Sequence, residues 1–167
     1  MADLRVGTAF DAHRLVADRP LVLGGVTIPS PAGLEGHSDA DIVCHVLCDA
    51  ALGAAAMGDL GRLFPGTPEW RDAASIDLLA RAFAQLAAVG FTLVNADCVV
   101  VLQEPKIAPY VDEMRARVAI AMRSTAALGI PESDSESSSR WTENGVKNSP
   151  QLGGSVPSEM RAAPPAS

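Results

Sequence analysis

At Pro131 the sequence changes character. Of the 36 residues from 132 to 167, 16 are Ser, Pro or Gly. The large apolar residues Trp141, Val146, Leu152, Val156 and Met160 are scattered there with neither a helical nor a strand period. Such a segment cannot bury enough apolar surface to offset its ordering entropy, so residues 132–167 are expected to form a disordered tail. Any core must therefore come from residues 1–131, a length that suits one domain.

Before Pro131, strand-like and helix-like segments alternate. Leu4–Phe10 and Leu21–Ile28 read as short strands, with Gly24 and Gly25 marking a bend in the second. A helix is expected over Ser38–Met57, with Ser38 or Asp39 as N-cap and Gly58 at its exit. A second helix covers Ala73–Val89 and ends at Gly90. Phe91–Leu102 is rich in strand formers, and Ile107–Leu128 reads as a third helix closed by Gly129 and Pro131. Alternation of this kind points to an α/β or α+β layer fold with helices packed on a sheet.

Thirteen Lys and Arg against twenty Asp and Glu leave a formal net charge of −7. No general basic face is available to meet nucleic-acid phosphates, so a nucleic-acid partner is not expected. A small phosphorylated substrate would need local compensation by a metal, a lysine or helix N-termini. Cys44, Cys48 and Cys98 are too few for a disulfide scaffold and suit a reducing compartment. The opening MADLRVGTAF lacks a basic stretch followed by an apolar one, and no apolar run approaches the ~20 residues of a membrane span. A cytoplasmic chain with no membrane partner is the expectation.

Three places carry chemistry. The first is Asp11-Ala12-His13 at the end of the first expected strand, where side chains two apart share a face. An ordinary capping Asp beside an exposed His accounts for that pair equally well. The second is the helix beginning at Ser38, on which Asp41, His45 and Asp49 fall four residues apart in a stripe otherwise flanked by Ile, Val, Leu, Cys and Ala. Carboxylates placed to orient an imidazole explain this stripe, and so does a satisfied core histidine. Cys44 and Cys48 invite a thiolate site, but Cys44 points about 100° around the helix from His45, and buried free cysteines are common core residues. Asp11, His13 and His45 together offer one carboxylate and two imidazoles, the donor set of a catalytic zinc with an open fourth position. The third place is Gln103-Glu104-Pro105-Lys106, where a strand meets a helix. Free N–H groups and a lysine there could hold a phosphate or read a base, or the turn could be a plain helix entry. The loop from Gly58 through Thr67 has turn chemistry and is equally open.

The segments Arg5-Val-Gly-x-x-Phe-Asp-Ala-His13, Gly24-Gly-Val-x-Ile-Pro29, Gly36-His-Ser-Asp-Ala-Asp-x-x-x-His45, Ala51-Leu-Gly-Ala-Ala-Ala-Met-Gly-Asp-Leu-Gly-x-Leu-Phe-Pro65 and Pro105-Lys-Ile-x-Pro109 occur in order. Together they resemble the 2-C-methyl-D-erythritol 2,4-cyclodiphosphate synthase family of the non-mevalonate isoprenoid pathway. The resemblance spans about residues 5–131. It implies an α+β domain over 1–131, a mixed β-sheet with helices packed on one face. Zinc is implied at Asp11, His13 and His45. His37 and Ser38 match phosphate contacts on a mobile loop, with His37 the transition-state stabiliser. Substrate contacts are implied at Asp11, His13, Asp59, Leu60, Gly61, Phe64, Pro65 and Gly66, and the cytidine turn at Gln103, Glu104, Pro105, Lys106, Ile107 and Ala108.

The implied reaction folds 4-diphosphocytidyl-2-C-methyl-D-erythritol 2-phosphate so that its 2-phosphate attacks the β-phosphorus and CMP leaves. A second cation, Mg or Mn, is implied on the diphosphate, and a homotrimer with active sites at subunit interfaces. Two departures stand out. Gly66 replaces an acidic residue common in the family. After the third helix, the family's final strand, with its Lys-x-Thr-Thr-x-Glu-like motif, and its last helix have no match; Thr142-Glu143 is only an echo. The alternative is therefore a catalytically impaired remnant that binds metal and nucleotide but cannot close the ring.

Overall fold

The computed structural model describes residues 4–123. Residues 132–167, the domain boundary at 131 and the end of the third expected helix lie outside the described residues. The chain is α+β. Its strands are β1 (Leu15–Ala17), β2 (Leu21–Leu23), β3 (Val26–Ile28) and β4 (Ala32–Leu34). They form two antiparallel pairs, β1 with β4 and β2 with β3. Helices α1 (Ile42–Ala54), α2 (Leu60–Leu63), α3 (Ser75–Ala88) and α4 (Val111–Ala121) follow.

Leu21–Ile28 is a hairpin and not one bent strand. Gly24 and Gly25 both take positive φ, 57° and 73°, the backbone a two-residue turn of the right twist requires. Leu21 then faces Ile28 and Leu23 faces Val26, and all four side chains are buried. Leu4–Phe10 and Phe91–Leu102 join no ladder among the described residues. Strand-like composition is not enough, because a strand also needs a partner for its N–H and C=O groups; Leu4, Val6 and Phe10 of the first segment are exposed. The period of two is real in the second segment: Cys98, Val100 and Leu102 pack on the core while Val99 and Val101 are 83% and 95% exposed.

Helix α1 starts at Ile42 with Asp41 as its cap, not at Ser38 or Asp39. Ala40 has φ 59°, a left-handed conformation through which a right-handed helix cannot run. Ser38 Oγ instead accepts the Ala40 N–H, and Asp39 reaches across to accept the Ser75 N–H and hydroxyl at the start of α3. Asp39 thus caps a helix whose own cap position, Ala74, has no side chain to do so. The third expected helix begins with a 3-10 turn at Ala108–Tyr110 before α4.

Two buried clusters hold these elements. One joins Cys44, Cys48 and Leu52 of α1 to Leu78, Leu79, Ala82, Phe83 and Leu86 of α3 and Val118 of α4. The α3 residues recur at intervals of three and four, so one face is buried along the whole helix. The second cluster packs the β2–β3 hairpin and Leu34 against Val43 and Met114. Each fully buried Leu contributes roughly 1.5–3 kcal/mol. Helix α1 lies in both clusters, which makes it the rigid element on which a site can be mounted.

Candidate metal centre and cleft

Asp11, His13 and His45 come together. Asp11 Oδ2 lies 3.0 Å from His13 Nε2 and 3.0 Å from His45 Nδ1. One ligand atom from each of the three residues fits within a 4.8 Å separation. The other Asp11 oxygen accepts the Ala12 N–H. Asp11 and His13 converge as two-apart residues should, but from a segment just before β1 and outside any ladder.

The sheet and the helix each aim one imidazole. Pairing of Leu15 with Leu34 sets Glu35 beside Arg14, where the Glu35 N–H donates to the Arg14 carbonyl. The Glu35 carbonyl in turn accepts a hydrogen bond from His13 Nδ1 at 2.5 Å. Since a carbonyl can only accept, Nδ1 carries a proton there, and Nε2 is the nitrogen turned to Asp11 and left to meet a metal. On α1, His45 Nε2 faces Asp49 Oδ2 at 3.3 Å, one helical turn on.

Two ring nitrogens and a carboxylate oxygen this close together are three donor atoms that a single cation could bind at once. A tetrahedral ion with Zn–N near 2.0–2.1 Å would hold its ligands about 3.3 Å apart, close to the spacing found. The donor set fits a borderline divalent metal with an open position.

Asp41 does not orient His45. Its Oδ1 accepts the N–H groups of Gly24, Val43 and Cys44, and its Oδ2 those of Gly25 and the Cys44 thiol. Burial pushes this carboxyl above the usual carboxylate range, and the N–H bonds from Gly25, Gly24 and Cys44 oppose the push. Burial likewise pushes the Cys48 thiol up to about 12, and the Cys44 thiol higher still, with Asp41 adding to the effect. Both sulfurs sit in the α1–α3 core, and among the described residues neither belongs to the Asp11, His13 and His45 group.

The imidazoles of His13 and His45 open on a cleft of about 150 Å³. Its wall includes His37, Ser38, Leu60, Phe64 and Gly66, together with Trp70, Ser75 and Leu78, which sequence reasoning did not single out. Arg19 also went unnoticed: its guanidinium donates to the carbonyls of Gly36 and Ser38 and holds the His37 loop in place. No local spacing could have signalled it, because 17 to 19 residues separate these partners. Asp59 caps α2 by accepting the Arg62 N–H. Gly61 and Pro65 are on the same segment but do not line the cleft.

Gln103–Ala108 is not part of the cleft wall. Lys106 folds back onto the Gln103 carbonyl and the Glu104 carboxylate, and the Glu104–Pro105 peptide is cis. Ile107 packs against the second core cluster.

Fold and site together define a small α+β protein with a group of two histidines and one carboxylate that could hold a metal, beside a cleft. A family model described as the YgbB family matches residues 4–143. A 2-C-methyl-D-erythritol 2,4-cyclodiphosphate synthase of Geobacillus kaustophilus is 54% identical over 116 residues, 69% of this chain and 73% of the relative. The synthase of Symbiobacterium thermophilum is 55% identical over 126 residues, 75% of this chain and 76% of the relative. Among solved structures, a 2C-methyl-D-erythritol-2,4-cyclodiphosphate synthase in a CDP-bound form superposes with TM-score 0.67 at 41% identity, covering 71% of this chain and 80% of the other. The bifunctional IspDF of Campylobacter jejuni gives the same TM-score at 39% identity, and 71% of this chain matches 32% of that longer one. The chain belongs to the YgbB family, that of the 2-C-methyl-D-erythritol 2,4-cyclodiphosphate synthases.

Proposed function

We propose that this chain converts 4-diphosphocytidyl-2-C-methyl-D-erythritol 2-phosphate to 2-C-methyl-D-erythritol 2,4-cyclodiphosphate and CMP, as a phosphorus–oxygen lyase of isoprenoid precursor biosynthesis. The observation that carries the reading is the convergence of His13 Nε2 and His45 Nδ1 on Asp11 Oδ2 beside a cleft lined by His37 and Ser38. In the reaction an oxygen of the 2-phosphate bonds to the β-phosphorus, and the bond from that phosphorus to the bridging oxygen of CMP breaks. Zinc bound by Asp11, His13 and His45 would supply positive charge to the attacked phosphate. His37 and Ser38 offer hydrogen bonds from the wall of the same cleft, and the Arg19 clamp on the Gly36 and Ser38 carbonyls holds their loop in place. Gly58–Gly66 closes a further side. A second cation, Mg or Mn, belongs with the diphosphate of the substrate.

Gln103–Ala108 is the proposed cytidine turn, and it lies off this chain's cleft. A homotrimer resolves the separation, with the turn of one copy completing the cleft of the next. Exposed Leu4, Val6, Phe10, Val99 and Val101 supply apolar surface for that assembly. The synthase-like domain is 1–131, and its place is the cytoplasm; among the described residues no helix is long and apolar enough to cross a membrane. A synthase bound to CDP in solved form supports a cytidine nucleotide ligand here.

CMP release from the authentic substrate is the deciding assay. Release that requires His37 and His45 is expected. Zinc-loaded chain that releases no CMP would replace this reading by the catalytically impaired one. CMP should also raise the melting temperature more than AMP does, since backbone groups at fixed width suit a pyrimidine; equal shifts would leave 103–108 a plain helix entry.

A further inference from the structure

Asp49 joins two parts of the site through its two oxygens. One oxygen, Oδ2, faces His45 Nε2 at 3.3 Å. The other, Oδ1, accepts the Leu60 N–H at 2.7 Å, across eleven residues. We propose that Asp49 is a positioning residue that sets the metal-facing nitrogen of His45 and at the same time seats the 59–66 wall of the cleft, so that metal binding and the position of that wall are coupled. The inference rests on reading Asp11, His13 and His45 as metal ligands.

The chemistry follows from what a carboxylate can do. A carboxylate oxygen accepts, so the His45 nitrogen facing Asp49 donates. With Nε2 engaged in this way, Nδ1 is the His45 nitrogen left to meet a metal beside Asp11 Oδ2 and His13. Leu60 opens α2, and its N–H is one of the donors a helix start leaves without an intrahelical acceptor. Asp59 satisfies Arg62 there, and Asp49 satisfies Leu60. Helix α2 leads directly into Phe64 and Gly66, which line the cleft. A shift of His45 toward a bound ion must move one end of a carboxylate whose other end holds α2.

Two substitutions in the full chain separate the functions. Asp49→Asn replaces one acceptor by a donor. If the amide oxygen stays on Leu60, its NH₂ faces His45 Nε2 and drives the imidazole proton to Nδ1, the metal side. If the amide turns over, NH₂ meets the Leu60 N–H donor to donor. Leu60→Pro removes the second contact together with the Leu60 side chain and leaves Asp49 facing His45. Proline suits the first helical position, and Asp59 before it is already extended at φ −137° and ψ 174°.

Zinc affinity by chelator competition, the ¹⁵N shifts of the His45 ring, and amide exchange of the 59–66 peptide with and without zinc are the readouts. Wild type should bind zinc, show a protonated Nε2 in the metal-free ring, and slow its 59–66 exchange when zinc is added. Asp49→Asn should weaken zinc about 10–100-fold or more, the range for lost partners of ligating histidines, and move the ring proton to Nδ1. Leu60→Pro should keep wild-type ring shifts while 59–66 exchanges fast and no longer responds to zinc. Unchanged zinc affinity and ring shifts in Asp49→Asn, or an unchanged zinc response in Leu60→Pro, overturns the coupling alone. A wild-type chain that binds no zinc overturns the metal reading and the proposal with it.

Discussion

The Asp41 carboxylate accepts the Gly25 N–H at 2.6 Å, tying the first residue before α1 to the turn of the β2–β3 hairpin. Its other oxygen takes Gly24 as well as the Val43 and Cys44 groups of the helix start. Sheet and helix are thereby locked at the point from which α1 carries His45 toward Asp11. Asp41→Asn keeps one oxygen but sets an NH₂ against one of these donors, leaving a buried group unsatisfied. A loss of about 1–3 kcal/mol in urea unfolding is expected; unchanged stability would show that the hairpin turn is held by packing.

Zinc content follows the imidazoles. His45→Ala removes one of three ligands, and elemental measurement should find the metal lost. Stoichiometric zinc in that variant would transfer the site to Cys44 and Cys48 despite their raised pKa values.

The thiols themselves offer a second check. Cys44 and Cys48 are buried, which pushes their thiols up, and Cys98 is half-buried. Iodoacetamide on the native chain should label Cys98 first and leave the other two unmodified until denaturant is added. Early labelling at Cys48 would mean that the α1–α3 interface opens readily.

Gly7 marks the closest approach of the first segment to α1. A Cβ there would lie 1.8 Å from the Ala50 carbonyl oxygen and 3.0 Å from Ala54 Cβ. Gly7→Ala must push the segment off the helix, at a cost of about 1–3 kcal/mol, and the displacement reaches Asp11 four residues on. Weaker zinc binding together with a lower melting temperature is the expected pair; a wild-type melt would mean that Leu4–Phe10 rests only loosely on α1.

Much of this was legible in the residues. Helix α3 was readable from the three-and-four spacing of Leu78, Leu79, Ala82 and Phe83, since burial of one face leaves that period in the sequence. His45 stood out as part of a polar stripe on an otherwise apolar helix, whereas Asp11-Ala12-His13 by itself reads as an ordinary strand end and gains weight only when joined to His45. The start of α1 was misplaced because Ser38, Asp39 and Asp41 all have cap chemistry, and only the left-handed Ala40 decides among them. Asp39 serves a different helix, α3, 36 residues away.

The sequence by itself determined which faces are apolar and which side chains can hold a metal, because these depend on residue type and local period; α1 stops at Ala54, short of the Gly58 exit the residues suggest. Tertiary structure decided which acid serves which partner. Asp41 and Asp49 stand at matching positions before and after His45, and spacing makes them equivalent. The hairpin turn brought against α1 supplies N–H groups to Asp41, while the returning chain at Leu60 leaves Asp49 one oxygen for the imidazole. Hydrogen-bond donors that arrive from distant segments assign those roles, and their arrival is set by the packing of the core and not by any pattern along the chain.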